Sequence, residues 1–311
     1  MRALVVSGGG SKGAFAGGVA EFLLTEKKRD YDLYVGTSTG GLLIPLLASN
    51  NLEKARKVFT SIGQDDIFTK SPFKVEKEEG KEPKLHFNLL TISQMILKGS
   101  KTIGDSTALK NLITTTFEKK DFEYLHDKGK QVVVTVANLT RQQLEYKSSS
   151  EFEYEDFCDW VWASANVLPF MSLLVKNESE YGDGGFGNVI PIQEAIRRGA
   201  KEVDVIVLRP ESRDIHFPPV KNVLQLMTRS YDFMFKQIMK DDLALGKLEA
   251  ADHDVKLNFY FTPRLLTEQM LIFDKEQMLS WWCEGREVFK STDPVEVRIT
   301  TATKANGSSL L

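Results

Sequence analysis

Residues 2–50 read RALVVSGGGSKGAFAGGVAEFLLTEKKRDYDLYVGTSTGGLLIPLLASN, and this stretch decides the fold. Arg2 to Ser7 is a short β-rich run that breaks into a glycine turn, Gly8 to Gly13. From Ala14 to Lys27 the apolar residues Phe15, Val19, Phe22 and Leu23 fall at i, i+4, i+7 and i+8, one stripe of an α-helix. Tyr31 to Val35 is a second strand, followed by a tight turn, Gly36 to Gly41. Leu42 to Ser49 runs on as a helix, with Pro45 tolerable because it lies in or near the first turn. A strand–helix–strand–helix rhythm implies parallel strands, because each crossover helix returns the chain to the same end of the sheet. The expected fold class is α/β, a three-layer α/β/α sandwich around a mostly parallel sheet.

The rest of the chain continues the pattern after an irregular stretch. Ser61 to Asp105 holds a charge run, Lys74 to Lys84, read as a solvated loop, and an amphipathic piece, Leu89 to Leu97. A helix is expected from about Ser106 to Phe117, and Val132 to Val136 is the all-apolar run of a buried parallel strand. Leu144 to Lys147 and Leu173 to Lys176 are short strands, with a helix from Phe152 to Ala165 between them. Tyr181 to Gly187 is a glycine-rich turn, Pro191 to Arg198 a helix and Val203 to Leu208 a further buried strand. A long helix from Val220 to Ala250, a strand from Lys256 to Thr262 and a helix from Lys275 to Lys290 follow. The expected organisation is a catalytic domain at 1–210 and a mainly helical extension, 211–311, packed on it, with a disordered polar tail from about residue 300.

Composition narrows the function classes. The 311 residues carry a formal net charge of −3, which offers no basic excess to replace phosphate counterions and argues against nucleic acid as partner. Cys158 and Cys283 are too few and too far apart for a disulfide framework. Ala3 to Val6 is too short an apolar run for a secretory signal, so a cytoplasmic location is expected, with peripheral membrane contact through Leu89 to Leu97 or Leu265 to Phe273. Burial in the core is the commoner fate of such apolar stretches. No metal or cofactor is expected, and protein partners are unspecified.

Two turns carry the chemistry. Gly36-Thr37-Ser38-Thr39-Gly40 fits G-x-S-x-G and stands where a strand must turn sharply into a helix. There flanking glycines let the backbone double back and leave a hydroxyl exposed above the sheet. The bland reading is a Ser/Thr cap of an ordinary helix. Gly8-Gly9-Gly10-Ser11-Lys12-Gly13, between the first strand and its helix, exposes backbone N–H groups of the kind an oxyanion needs. Its spacing also satisfies the dinucleotide fingerprint, but no acidic residue closes the second strand to hold a ribose. A serine beside an anion-binding glycine turn is a hydrolase arrangement.

The base is harder to read. His86, His126, His216 and His253 lie in charged, loop-like or acidic contexts with no strand end or glycine to place them. Asp183, in Tyr181-Gly182-Asp183-Gly184-Gly185-Phe186-Gly187, sits where glycines permit close approach to another loop. An ordinary aspartate is a poor base for a hydroxyl unless partly desolvated, and the same residue can simply cap its own turn. From residue types alone both readings stand.

Taken together, these pieces resemble the patatin-like phospholipase family. The family's G-G-G-x-[KR]-G loop, G-x-S-x-G turn and D-G-[GA] turn occur here in that order, at Gly8 to Gly13, Gly36 to Gly40 and Asp183-Gly184-Gly185. Ala163-Ser164 followed by Pro169 is similar to the A-S-x-x-x-P segment that precedes the family's aspartate. The resemblance covers about residues 1 to 210. It implies a patatin-like sandwich with a calcium-independent Ser38–Asp183 dyad acting on phospholipids, lysophospholipids or neutral acylglycerols. It also implies oxyanion donors among Gly8, Gly9, Gly10, Ser11, Lys12, Gly13 and Thr39, elbow glycines Gly36 and Gly40, and base-turn glycines Gly184 and Gly185. Lys12 stands where many members have arginine, which keeps charge near a substrate phosphate but loses bidentate geometry. A histidine-based esterase and a catalytically weak or effector-gated lipid-binding protein are the alternatives.

Overall fold

Along the first strand, β1 (Arg2–Val6), Leu4 and Val6 are buried in one apolar cluster and Ala3 and Val5 in another. The two-residue period of a strand therefore serves two cores, one on each face of the sheet. The computed structural model describes residues 1–77, 83–211 and 219–297. After β1 come α1 (Gly13–Thr25), β2 (Leu33–Thr37), α2 (Thr39–Ala48), α3 (Leu52–Ser61) and α4 (Gln64–Ile67). A hairpin of β3 (Phe73–Glu76) and β4 (Lys84–Phe87) leads into α5 (Leu89–Leu97), α6 (Thr107–Thr116) and α7 (Lys119–Asp127). Then follow β5 (Gln131–Asn138), β6 (Gln143–Ser148), α8 (Tyr154–Ser164), β7 (Leu174–Lys176), β8 (Ser179–Asp183), α9 (Ile192–Arg197) and β9 (Glu202–Val207). The remainder forms α10 (Val223–His253), β10 (Lys256–Phe261), α11 (Lys275–Ser291) and β11 (Val295–Val297).

The central sheet has the order β11-β10-β9-β1-β2-β5-β8-β7, with β6 also paired to β5. From β10 to β5 every neighbour is parallel, while β11, β6, β8 and β7 join antiparallel. The larger core lies under α1, α2, α8 and α11, the smaller under α9 and α10. This is the expected three-layer α/β/α arrangement. Residues after 211 supply β10 and β11 to the sheet and α11 to the larger core. Trp282 of α11 is fully buried, and a Cβ at Gly17 of α1 would come within 1.9 Å of its ring. Its indole N–H donates to Glu21 Oε2 at 2.5 Å. A Cβ at Gly285 of α11 would likewise fall 2.3 Å from the Phe15 carbonyl oxygen of α1, so glycines on both helices let the backbones meet. The expected polar tail from residue 300 lies outside the described residues.

Several expectations need correcting. β2 runs to Thr37 and α2 starts at Thr39, so the turn between them is a single residue and Pro45 lies inside the helix, beyond its first turn. The strand reaches further because its last residues, Gly36 and Thr37, still pair with Val134 and Thr135 of β5. The described ends of the 74–84 charge run belong to the β3–β4 hairpin, with Phe73 paired to Phe87 and both Phe73 and Leu85 buried; residues 78–82 lie outside the description. The first three residues of the 181–187 turn complete β8. Helices α3 and α7 were not expected from periodicity.

Candidate active site

Ser38 is the single turn residue between β2 and α2, with φ 57° and ψ −125°. A non-glycine residue in this positive-φ conformation is strained, and only a firmly held turn keeps it there. The glycines around it solve a different problem. A Cβ at Gly36 would sit 2.6 Å from the Gly40 carbonyl carbon, and one at Gly40 would sit 2.2 Å from the Val6 carbonyl oxygen. Both are needed for close approach, while the unusual dihedral belongs to the serine. Ser38 makes no side-chain cap hydrogen bond to its helix, so the helix-cap reading fails and the hydroxyl is not spent on the backbone. The residue is 8% exposed.

Strand β5 measures out the position of Asp183. On the side of β5 that carries β2, pairing ends at Thr37–Thr135, and β8 takes over with Asp183 opposite Val136. β6 occupies the other side along Val133 to Asn138, so β8 continues the line on which β2 stops. The carboxylate thus arrives one register step past the residue preceding Ser38. Asp183 is 1% exposed, its Oδ1 accepts the Gly185 N–H at 2.7 Å, and its carboxyl lies near enough to the Ser38 side chain to feel it. Burial pushes the carboxyl from 3.8 up to about 7, and Ser38 and the Gly185 amide pull it only partly back. Asp183 thus caps its own turn and also lies beside the serine. Gly184 is required because a Cβ there would lie 2.4 Å from the Thr135 carbonyl oxygen; Gly185 supplies the capping amide.

The Ala163–Pro169 segment braces both groups. Ser164 Oγ accepts the Ser38 N–H at 3.2 Å, and the Asn166 carbonyl accepts the Asp183 N–H at 3.0 Å.

The glycine loop is pinned at most of its amides. Gly8 N–H donates to the Val189 carbonyl at 3.0 Å, Ser11 N–H to Met270 at 2.9 Å and Lys12 N–H to Gly9 at 3.4 Å. Gly13 N–H donates to the carbonyls of Gly10 and Ser11. Four of the expected donors are thereby engaged within the protein. Among the described residues, the N–H groups of Gly9 and Gly10 have no protein acceptor, and Thr39 opens α2 with the free amide of a helix start. Gly10 has φ 60°, and a Cβ there would fall 2.1 Å from the Met270 carbonyl oxygen, so glycine is required on both counts.

Two cavities meet at Ser38. An apolar cleft opens from Ser38 and Thr39 between α2, α3, α6 and α8, walled by Leu42, Phe59, Ile113, Phe117 and Met171. Leu271 and Phe273 close part of it, so much of the 265–273 stretch is cleft wall and core. On the other side, a smaller cavity joins Ser38, Asp183 and the glycine loop to Lys12, Arg209 and Asp232. Arg209 grips Asp232 with two bonds, 3.1 and 2.8 Å. Burial, with help from Arg209, lowers the Lys12 ammonium to about 8, while Asp232 opposes the shift. Sequence reasoning missed Arg209 and Asp232. The first stands at the carboxyl end of β9, a position that flags functional groups in parallel sheets; the second is one acid on a long helix and carries no signal.

The histidines take no part among the described residues. His86 is exposed and paired with Glu76 on the hairpin, His126 stacks edge-on to Phe122, and His253 ends α10 beside the Glu249 carbonyl. His216 lies outside the description. The α5 piece, by contrast, faces solvent with its apolar side: Leu89, Leu90, Ile96 and Leu97 are 63–86% exposed, while Met95 is buried beneath them. Among the described residues no helix is long and apolar enough to cross a membrane.

A family model described as patatin-like phospholipase matches residues 4–196, more than half of the chain. The uncharacterized protein YjjU of Escherichia coli (strain K12) is 26% identical over 222 residues, covering 70% of this chain and 54% of its own length. The chain thus spans about half the length of that relative. Among solved structures, VipD from Legionella pneumophila aligns with a TM-score of 0.44 and 13% identity, over 90% of this chain and 66% of that one.

Proposed function

The chain belongs to the patatin-like phospholipase family, and from that premise we propose that it hydrolyses the acyl esters of lipids, as a phospholipase A or lysophospholipase, with Ser38 as nucleophile and Asp183 as base. The observation that carries this reading is the Asp183 carboxyl, buried against the Ser38 hydroxyl and pushed up to about 7. A base whose proton affinity matches neutral pH transfers protons efficiently in both directions, which an ordinary aspartate cannot do.

Ser38 Oγ attacks the ester carbonyl while Asp183 takes its proton. Gly9 and Gly10, with Thr39, donate N–H groups to the oxyanion; a donor of this kind is worth roughly 3–4 kcal/mol of barrier. Protonated Asp183 returns its proton to the departing alkoxide, leaving an acyl ester on Ser38. Water then attacks that ester with Asp183 again as base, and the fatty acid leaves. The apolar cleft suits one acyl chain, and Lys12 and Arg209 lie on the head-group side.

The proposed catalytic unit is residues 1–210 with 211–311 packed on it, and the proposed partner is a lipid surface met by α5. That nine-residue helix has no charged side chain, turns an apolar face outward and precedes α6, which walls the acyl cleft. Free cysteines, one of them buried, suit a reducing compartment, and the cytoplasm is the proposed place of action.

The test compares wild type with Ser38→Ala on a chromogenic acyl ester and on a mixed lipid extract, with the released fatty acids identified. Loss of turnover in Ser38→Ala alone is expected. Equal rates would overturn the enzyme reading in favour of a lipid-binding protein on the same fold.

A further inference from the structure

Three parts of the site converge on residues 188–190, an irregular segment just past the Asp183 turn. The Asn188 carbonyl accepts from Thr37 Oγ1 at 3.0 Å, one residue before Ser38. The Val189 carbonyl accepts the Gly8 N–H at 3.0 Å, one residue before the two free amides of the glycine loop. The Asn188 N–H returns to the Gly184 carbonyl at 3.0 Å, beside Asp183. Nucleophile, oxyanion loop and base therefore share one backbone support, which lies outside the regular elements and is also tied to β6 through the Asn188 side chain, donating to Tyr146 OH at 2.9 Å.

The next two amides of the segment are held by a carboxylate. Oδ2 of Asp242 accepts both the Val189 N–H, at 2.7 Å, and the Ile190 N–H, at 2.9 Å. Asp242 is 6% exposed and stands on α10, beyond the 4–196 stretch that carries the family match. One turn further along, a Cβ at Gly246 would come within 2.9 Å of Ile192, so α10 presses directly on the end of the supported segment. A buried carboxylate accepting two amides makes strong, directional bonds, and it has no charged partner of opposite sign within bonding reach among the described residues. Such a group is costly to bury for packing alone.

We propose that Asp242 is a positioning residue for the acyl-transfer reaction: it clamps Val189 and Ile190, and through them sets the spacing of Gly8, Ser38 and Asp183. The proposal rests on the dyad reading above. A displacement of about 1 Å in such a support lowers turnover by roughly 10²-fold when it moves the reacting groups. Substrate binding, governed by the cleft walls on the far side of Ser38, should change little.

The experiment uses the full chain as wild type, Asp242→Ala and Asp242→Asn. Turnover of a soluble chromogenic ester is measured per active site, with sites counted by a fluorophosphonate that labels Ser38. Amide hydrogen exchange is followed over residues 7–10 and 187–191. Asp242→Ala is expected to lose about tenfold or more in kcat per labelled site with KM within about twofold, and to exchange faster in both segments. Asp242→Asn, whose carboxamide oxygen can still accept both amides, is expected to restore most of the turnover. Wild-type kcat per labelled site in Asp242→Ala, with only its melting temperature lowered, would overturn the proposal. If wild type neither turns over nor labels, the dyad reading has failed. Exchange at Gly8 and Val189 then decides the clamp alone: faster exchange in the variant supports it and unchanged exchange overturns it. If Asp242→Ala does not fold, the same exchange comparison is made with Asp242→Leu, which is close in shape to aspartate but can accept neither amide; faster exchange at those amides supports the clamp and wild-type exchange overturns it.

Discussion

Replacing Asp183 by asparagine should abolish turnover and at the same time make the protein more stable at alkaline pH. The carboxyl is moved from 3.8 to about 7 by burial. Each unit corresponds to about 1.4 kcal/mol between the protonated and ionised forms, so ionising Asp183 in the folded state costs roughly 4 kcal/mol. In the unfolded chain the same group ionises near its ordinary value. Between pH 4 and 7 the folded protein therefore holds a proton that the unfolded chain has released. This contribution is fully present below 3.8, declines as pH rises and is gone above about 7. Asparagine is nearly isosteric with the protonated acid, keeps an acceptor for the Gly185 N–H and cannot ionise. The stability difference, variant minus wild type, should be near zero at pH 4 and should grow to roughly 4 kcal/mol at pH 8. Urea titrations of both proteins across that range isolate it, because every other titrating group is common to the two. A variant no more stable than wild type at pH 8 would refute the argument that Asp183 is a desolvated base.

Other outcomes follow from the same site. The pH dependence of kcat/KM should rise about tenfold per unit below 7 as Asp183 loses its proton, and fall above about 8 as Lys12 loses its own. Lys12→Arg, whose guanidinium stays charged, should keep the acid limb and lose the alkaline one; an unchanged bell would show that Lys12 does not set it. Trp282→Ala should cost about 3–5 kcal/mol in urea unfolding, since the ring fills the contact between α1 and α11 at Gly17. A small loss would mean that α11 is an appendage to the core. Leu90→Glu with Leu97→Glu should cut hydrolysis of vesicle lipid about tenfold while sparing a soluble ester, because the pair lies on the exposed apolar face of α5. Equal losses on both substrates would remove α5 from membrane contact.

Much of the scaffold was legible because it is local. The stripe of Phe15, Val19, Phe22 and Leu23 and the apolar run at Val132 to Val136 each report their element through periodicity alone. The errors are local as well. Gly36 and Thr37 look like turn residues by composition, yet they pair with β5, and only that pairing keeps them in the strand. Leu89 to Leu97 was recognisable as amphipathic, but periodicity cannot tell which face meets the protein. Here Leu89, Leu90, Ile96 and Leu97 point outward while Met95 points in. Within the site, the residue types around Ser38 were readable and the glycine loop was located, but which of its amides are free depends on Val189 and Met270, far away in the chain.

What the amino-acid order by itself determined is the βαβα start, the sharp serine turn and the adjacent glycine loop, because strand and helix periods and glycine placement act over a few residues. Tertiary structure alone decided the proton affinity of Asp183. Burial raises it, against the partial pull of the serine 145 residues earlier in the chain, which register along β5 brings alongside. It also decided that α10 supplies Asp232 and Asp242 to the site, since a single acid on a long helix shows no sign of what it will face until the helix has packed.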